Sequence, residues 1–309
     1  GTGSQGRHNV AIGVLAMDAL TTGCNNVAVG CEALGAVDTG ANNIAMGNSA
    51  GHKMTSGTDN IAFGQSTMCA VTIGLRNIAI GQTAMSGVTT GQADENIAIG
   101  KDALKGAAGT TGDRNIAMGT AAMDVLTTGS DNIAMGIDAL GAATIANWNI
   151  AIGMNAVGGV TTDHAHLNIA IGHGAMCGSA STEAQENIAI GRNAMDAITT
   201  GCMNVAIGCN AFGAGTTGCK NISIGGAHNG SVVTGSNNIA IGPNAGYGVT
   251  SASNTVMIGL DAGYNGELNL NDSGQSNKLA LGNPNFTHYY AHGSFSDPSD
   301  CRDKSDVKN

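Results

Sequence analysis

Fourteen times from Asn9 to Asn238 the chain writes Asn-Φ-Ala-Φ-Gly, where Φ is Ile, Val, Met or Phe and Ser223 alone replaces the Ala. Two looser copies follow, beginning at Thr255 and Lys278. The step is 17 residues almost throughout, lengthening to 19 in the coils that start at Asn77, Asn96, Asn149 and Asn168, and to 23 before the last copy. A fixed period this short is the mark of a solenoid, in which each repeat buries its apolar face only by stacking on its neighbours. The expectation is an all-β fold, a β-roll-like β-solenoid of about sixteen coils with 17–19-residue repeats. Fifteen steps of ~4.8 Å would make a rod on the order of 70 Å long.

Within one unit the period of two makes Asn-Ile-Ala-Ile-Gly a short strand, with the two Φ side chains on one face and Asn, Ala and Gly on the other. The reading taken from this alternation is that the Φ positions stack into an Ile/Val ladder forming the core. The sixteen Gly, from Gly13 to Gly282, read as corners needing positive φ or close backbone approach. The Asn column reads as a stacked amide ladder satisfying backbone groups at a turn. An Ala stripe (Ala11, Ala28, Ala45 and onward, interrupted by Ser223 and Met257) suggests tight packing, either against a symmetry mate or inside the coil's own second layer. Met17, Leu34, Met68, Met85, Leu104, Met123, Leu140, Met176 and Met195 form another apolar column, whose Ala-Met-Asp-Ala flanks are compatible with one helical turn. Thr-Thr-Gly then reads as a turn.

Composition fits a thin rod better than a globule. Gly numbers 49, aromatics are 3% and charged residues 11%, so bulky space-fillers are scarce. A net charge of −10 without a Lys/Arg cluster before the last residues argues against nucleic acid as a partner. No run approaches eighteen apolar residues, so membrane insertion is not expected. A chain opening on Gly1 without a signal peptide reads as a processed or truncated piece. Of the eight Cys, Cys202 and Cys219 occupy equivalent places in successive repeats; a disulfide between stacked coils is geometrically conceivable, and reduced apolar thiols are the plainer reading.

The Asn-Ile-Ala-Ile-Gly-x-x-Ala unit resembles the repeats of trimeric autotransporter adhesin heads, and still more the repeat arrays of bacteriophage tail fibres, over Asn9 to about Gly282. Adhesin heads use a shorter repeat. Ser299-Asp300-Cys301-Arg302-Asp303-Lys304, with Val307 three further on, is similar to the opening of the peptidase S74 intramolecular chaperone domain. That resemblance implies self-cleavage, with Ser299 as nucleophile and Lys304 as its base; Asp303 stands where the family usually has an apolar residue. The organisation expected is a repeat shaft (1–263), a last coil and aromatic neck (264–298) and the start of the chaperone (299–309). The resemblances imply a parallel homotrimer in a phage tail: a structural, host-binding fibre assembled in the host cytoplasm, with a surface receptor (glycan or protein) and other virion tail proteins as partners. A bacterial trimeric surface adhesin is the alternative, favoured if the gene encodes a membrane-anchor barrel; an ice-binding solenoid, suggested by the Thr-Thr column, is a third.

Further candidate sites are few. His164-Ala165-His166 at a threefold axis could offer six imidazoles to one metal ion; the plainer reading is a loop with two solvated His. The longer coils carry Asp94, Glu95, Asp113, Arg114, Glu183 and Glu186, taken as receptor-contact residues if the extra residues bulge outward. No cofactor other than that axial metal is expected. No carboxylate pair, phosphate loop or Ser-His-Asp set stands out, so the chain reads as no enzyme apart from the C-terminal autoproteolysis.

Overall fold

A computed structural model describes residues 6–88, 93–106, 112–159, 165–178, 184–226, 234–263, 276–283 and 285. Those residues form an all-β parallel β-solenoid of about 13 turns with a repeat near 17 residues. Sixteen three-residue strands, from Val10–Ile12 to Leu279–Leu281, pair in order in one parallel sheet. Register never slips: Ile78, Ala79 and Ile80 face Ile97, Ala98 and Ile99, and Met118 faces Met135. A second sheet of two two-residue strands, Ala146–Asn147 and Ala165–His166, stands beside it. No helix occurs among the described residues, so none is long and apolar enough to cross a membrane.

The strand alternation is as expected, but its sense is reversed. From Ala28 to Ala280 the described Ala column is 0–3% exposed, and Asn26 through Asn238 are buried as completely. The Φ residues lie outward: Ile12 is 59% exposed, Phe63 51%, Ile80 39% and Ile258 41%. The expected Ile/Val core is therefore corrected to an Ile/Val exterior. The cause is the backbone. Asn must face inward to reach the polar groups of the coil, and period two then carries Ala inward and both Φ outward. The Ala stripe fills the coil's own interior, and no symmetry mate is needed to cover it.

Opposite the Ala stripe the interior is closed by two columns. One is the Met/Leu column, with Met68, Met85, Leu104, Met123 and Leu140 at most 2% exposed. The other went unread in the sequence: Val37, Met54, Val71, Val88, Leu126, Ile198 and Val249, each 11 residues beyond its Asn and each buried. Volumes compensate between columns, as close packing demands. Where Gly246 leaves the Met/Leu column empty, Met257 replaces Ala in the strand, its Cε 3.0 Å from where a Gly246 Cβ would stand. Where Phe212 overfills that column, the next one carries Gly215, which the ring occupies.

The helical-turn reading of the Ala-Met segment is also corrected. Met17, Met68, Met85 and Met123 have φ between 51° and 55°, and alternating left-handed residues fold the segment into consecutive turns. The strand-end Gly behaves as read: φ is 112–141° from Gly13 to Gly259. A Cβ on Gly47 or Gly100 would also sit 2.5 Å from the carbonyl oxygen of Gly64 or Gly119 in the next coil.

Candidate self-association face

The Asn ladder locks the register that builds this face. Asn132 Oδ1 accepts from the backbone N–H (3.0 Å) and Nδ2 (3.1 Å) of Asn149 one coil on. Asn132 Nδ2 donates to Asn115 Oδ1 (3.0 Å) and to the Ala146 carbonyl at the far end of its own coil (2.6 Å). The inter-coil bonds recur from Asn9 to Asn238. Thr255 ends the series, its N–H and hydroxyl donating to Asn238 Oδ1 at 3.0 and 2.6 Å.

With every strand held level, the outward Φ residues align into two parallel columns along the sheet. The second column is the more exposed: Ile12, Met46, Phe63, Ile80, Met118, Met135, Ile171, Ile190, Ile207, Ile241 and Ile258 are each at least 36% accessible. Together the columns offer on the order of 1,000–1,500 Å² of apolar surface, against the few hundred Å² typical of the largest patch on a monomer. These Ile, Val, Met and Phe side chains carry no group that exchanges a proton. What they can do is bind another apolar surface.

One border of the face is the residue before each strand-opening Asn, or before Thr255 and Lys278 in its place, left-handed from His8 to Asn277 (φ 55–61°). It is mostly polar and ties coil to coil: Asn42 Nδ2 donates to Asp59 Oδ1 at 2.9 Å, Arg76 to Glu95 at 2.8 and 3.0 Å, and Arg114 to both oxygens of Asp131 at 2.6 and 2.9 Å. The Arg114 hydrogen bonds hold the Asp131 carboxyl below its usual range. Three members break the polarity, Trp148, Leu167 and Met203, at 57%, 51% and 43% exposure. The apolar face is widest there.

From Asp94 onward the position two before the Asn is, in most coils, a second acceptor ladder. Asp94 Oδ1 takes the Leu75 N–H at 2.8 Å, Asp113 Oδ1 that of Asp94 at 2.8 Å, and Asn147 Oδ1 that of Ser130 at 2.8 Å. His166 Nδ1 takes that of Asn147 at 3.2 Å, and Ser236 and Ser253 continue the series. The run of short acceptor side chains at this one position was the available signal.

Asp94, Glu95, Asp113 and Arg114 thus stand in these two columns, engaged with neighbouring coils; Glu186 is exposed in the outer one. Their coils keep the standard strand register where described. Glu183, His164, Ser299 and Lys304 lie outside the described residues, as do the chaperone start and all of 283–298 except Asn283 and Asn285. His166 has its Nδ1 committed to the backbone, and no cluster of three metal-ligating side chains occurs among the described residues. In the Thr-Thr column the first hydroxyl serves the next coil: Thr55, Thr127 and Thr199 donate to the carbonyls of Thr72, Thr144 and Thr216 at 3.2, 2.9 and 2.9 Å. That is turn chemistry.

No family model, curated relative or solved structure matches the chain.

Proposed function

We propose that this chain is the shaft of a parallel homotrimeric fibre, a structural and host-binding appendage of the phage-tail type with about sixteen coils per chain. The observation that carries the proposal is the outward Φ face. A rod that left on the order of 1,000 Å² of contiguous Ile, Val and Met in water would aggregate, so the face calls for a cover. A second copy suits it, because only a surface with the same coil spacing can stay in contact along the entire length. Two such faces would bury roughly 2,000–3,000 Å², the range of obligate homo-oligomers. The face is narrow and runs lengthwise, which fits chains arranged parallel about a common axis. Function then follows from form: a stiff rod that spans distance, with receptor contact at its tip or from loops.

The repeats, and the Ser299–Lys304 segment similar to a self-cleaving chaperone, favour the fibre over a bacterial adhesin head of the same construction. Maturation would follow from attack by Ser299, with Lys304 taking its proton. The deciding measurement is mass in solution. Three copies weigh three times 30.5 kDa; a monodisperse 30.5 kDa species at micromolar concentration would refute the proposal. Ile80→Asp with Ile207→Asp should split the assembly, because each places a charge in the covered seam.

A further inference from the structure

We propose that Cys202 and Cys219 are a dithiol pair that closes, on oxidation, into a disulfide stapling two successive coils. Both occupy the acceptor ladder two residues before Asn, in adjacent coils. The Cys202 N–H donates to Cys219 Sγ at 3.1 Å, and the Lys220 N–H donates to the Cys202 carbonyl at 2.9 Å, so the backbone holds the pair from both sides. Coils stacked at ~4.8 Å bring equivalent Cα atoms within the 4.4–6.8 Å that a disulfide spans. Both are free thiols and half-buried, within reach of a small oxidant.

The residue type itself asks for an explanation. From Asp94 onward most coils place an oxygen or nitrogen acceptor here for the preceding coil's N–H, at Asp94, Asp113, Ser130, Asn147, His166, Ser236, Ser253 and Ser276, although Ala41 and Leu75 hold the same place without one. A thiol is a weak acceptor. Two in succession, where Ser serves on the next three coils, point to sulfur chemistry. The oxidant is a low-molecular-weight disulfide. One protein thiolate attacks it, forming a mixed disulfide and releasing one small thiol; the other thiolate attacks the protein sulfur and releases the second. Two electrons pass from the Cys pair to the small disulfide, and the two protons end on the released thiols.

Cys209 is the internal control, for its sulfur accepts from Arg192 Nη2 at 3.3 Å and has no thiol stacked on it, the next coil offering Gly226. The test treats the assembled full chain with glutathione disulfide, alkylates the remaining thiols and maps peptides without reduction. The expected result is an intrachain Cys202–Cys219 cross-link, a mass lower by about 2 Da, with Cys209 either alkylated or carrying glutathione. Cys219→Ser keeps the acceptor and should leave a lasting glutathione adduct on Cys202. Stable adducts on both Cys202 and Cys219 of the parent chain, continued alkylation of both, or a cross-link between chains would each overturn the proposal.

Discussion

Replacing Asn132 with Ala in the middle of the ladder removes one acceptor and one donor that water cannot replace, since the site is fully buried. The Asn149 N–H loses its 3.0 Å partner, and the Ala146 carbonyl loses its 2.6 Å donor. Asn115 Oδ1 keeps the Asn132 backbone N–H at 3.1 Å, and Asn149 Nδ2 keeps the Asn147 carbonyl at 3.1 Å, so the damage is two orphaned groups. At about 1–3 kcal/mol for each buried unsatisfied group, the substitution should cost about 2–6 kcal/mol. The effect should be local, because in a solenoid each coil answers to its neighbours. Hydrogen exchange is the direct assay: the Asn149 amide and the flanking strands should lose protection while distant coils keep theirs. Two further substitutions set the scale. Thr255→Val removes one of two donors to Asn238 Oδ1 and should cost about 0.5–1.5 kcal/mol. Asn9→Ala acts at a half-buried site where water substitutes, and should cost less than Asn132→Ala. Equal costs at positions 9 and 132, or an Asn149 amide as slow as in the parent, would refute the reasoning.

Other outcomes follow from the same geometry. Gly100→Ala combines φ +135° with a Cβ 2.5 Å from the Gly119 oxygen, and should cost more than about 2 kcal/mol in denaturant titration. Leu167→Asn relieves a bulky left-handed residue (φ 59°) and should raise stability by up to about 1 kcal/mol, provided that the assembly mass is unchanged. Met257→Ala empties the volume that Met257 fills beside Gly246, and should cost about 2–5 kcal/mol. The Cys202 thiol is pushed up to about 11, first by its hydrogen bond with Cys219 and then by desolvation. Its alkylation rate should therefore still climb about tenfold per pH unit through pH 10, where an ordinary thiol has levelled off; a plateau below pH 9 would contradict the contact.

What the sequence disclosed and what it hid divide along a physical line. Features set by the backbone were legible. A Gly at one position in sixteen repeats has few explanations, and both operate here, positive φ and close approach. An Asn at one position in fourteen repeats likewise implied stacked amides. Which face of the strand is interior was not legible, because the habit of placing large apolar residues inside assumes an interior with room for them. In this coil the interior is taken by Ala, by the Met/Leu column and by the column of Val37, Val71 and Leu126. Once the amides are required inside, parity leaves the larger side chains nowhere but the surface. The same logic explains Asp94 and Asp113, each of which accepts an amide from the coil before it. In a stacked fold the identity of a residue is set first by what lies one coil away. A column of Ile that its own rod leaves more than a third exposed is the seam of the proposed assembly, and Ile80→Asp should change assembly mass far more than it changes the stability of a single rod.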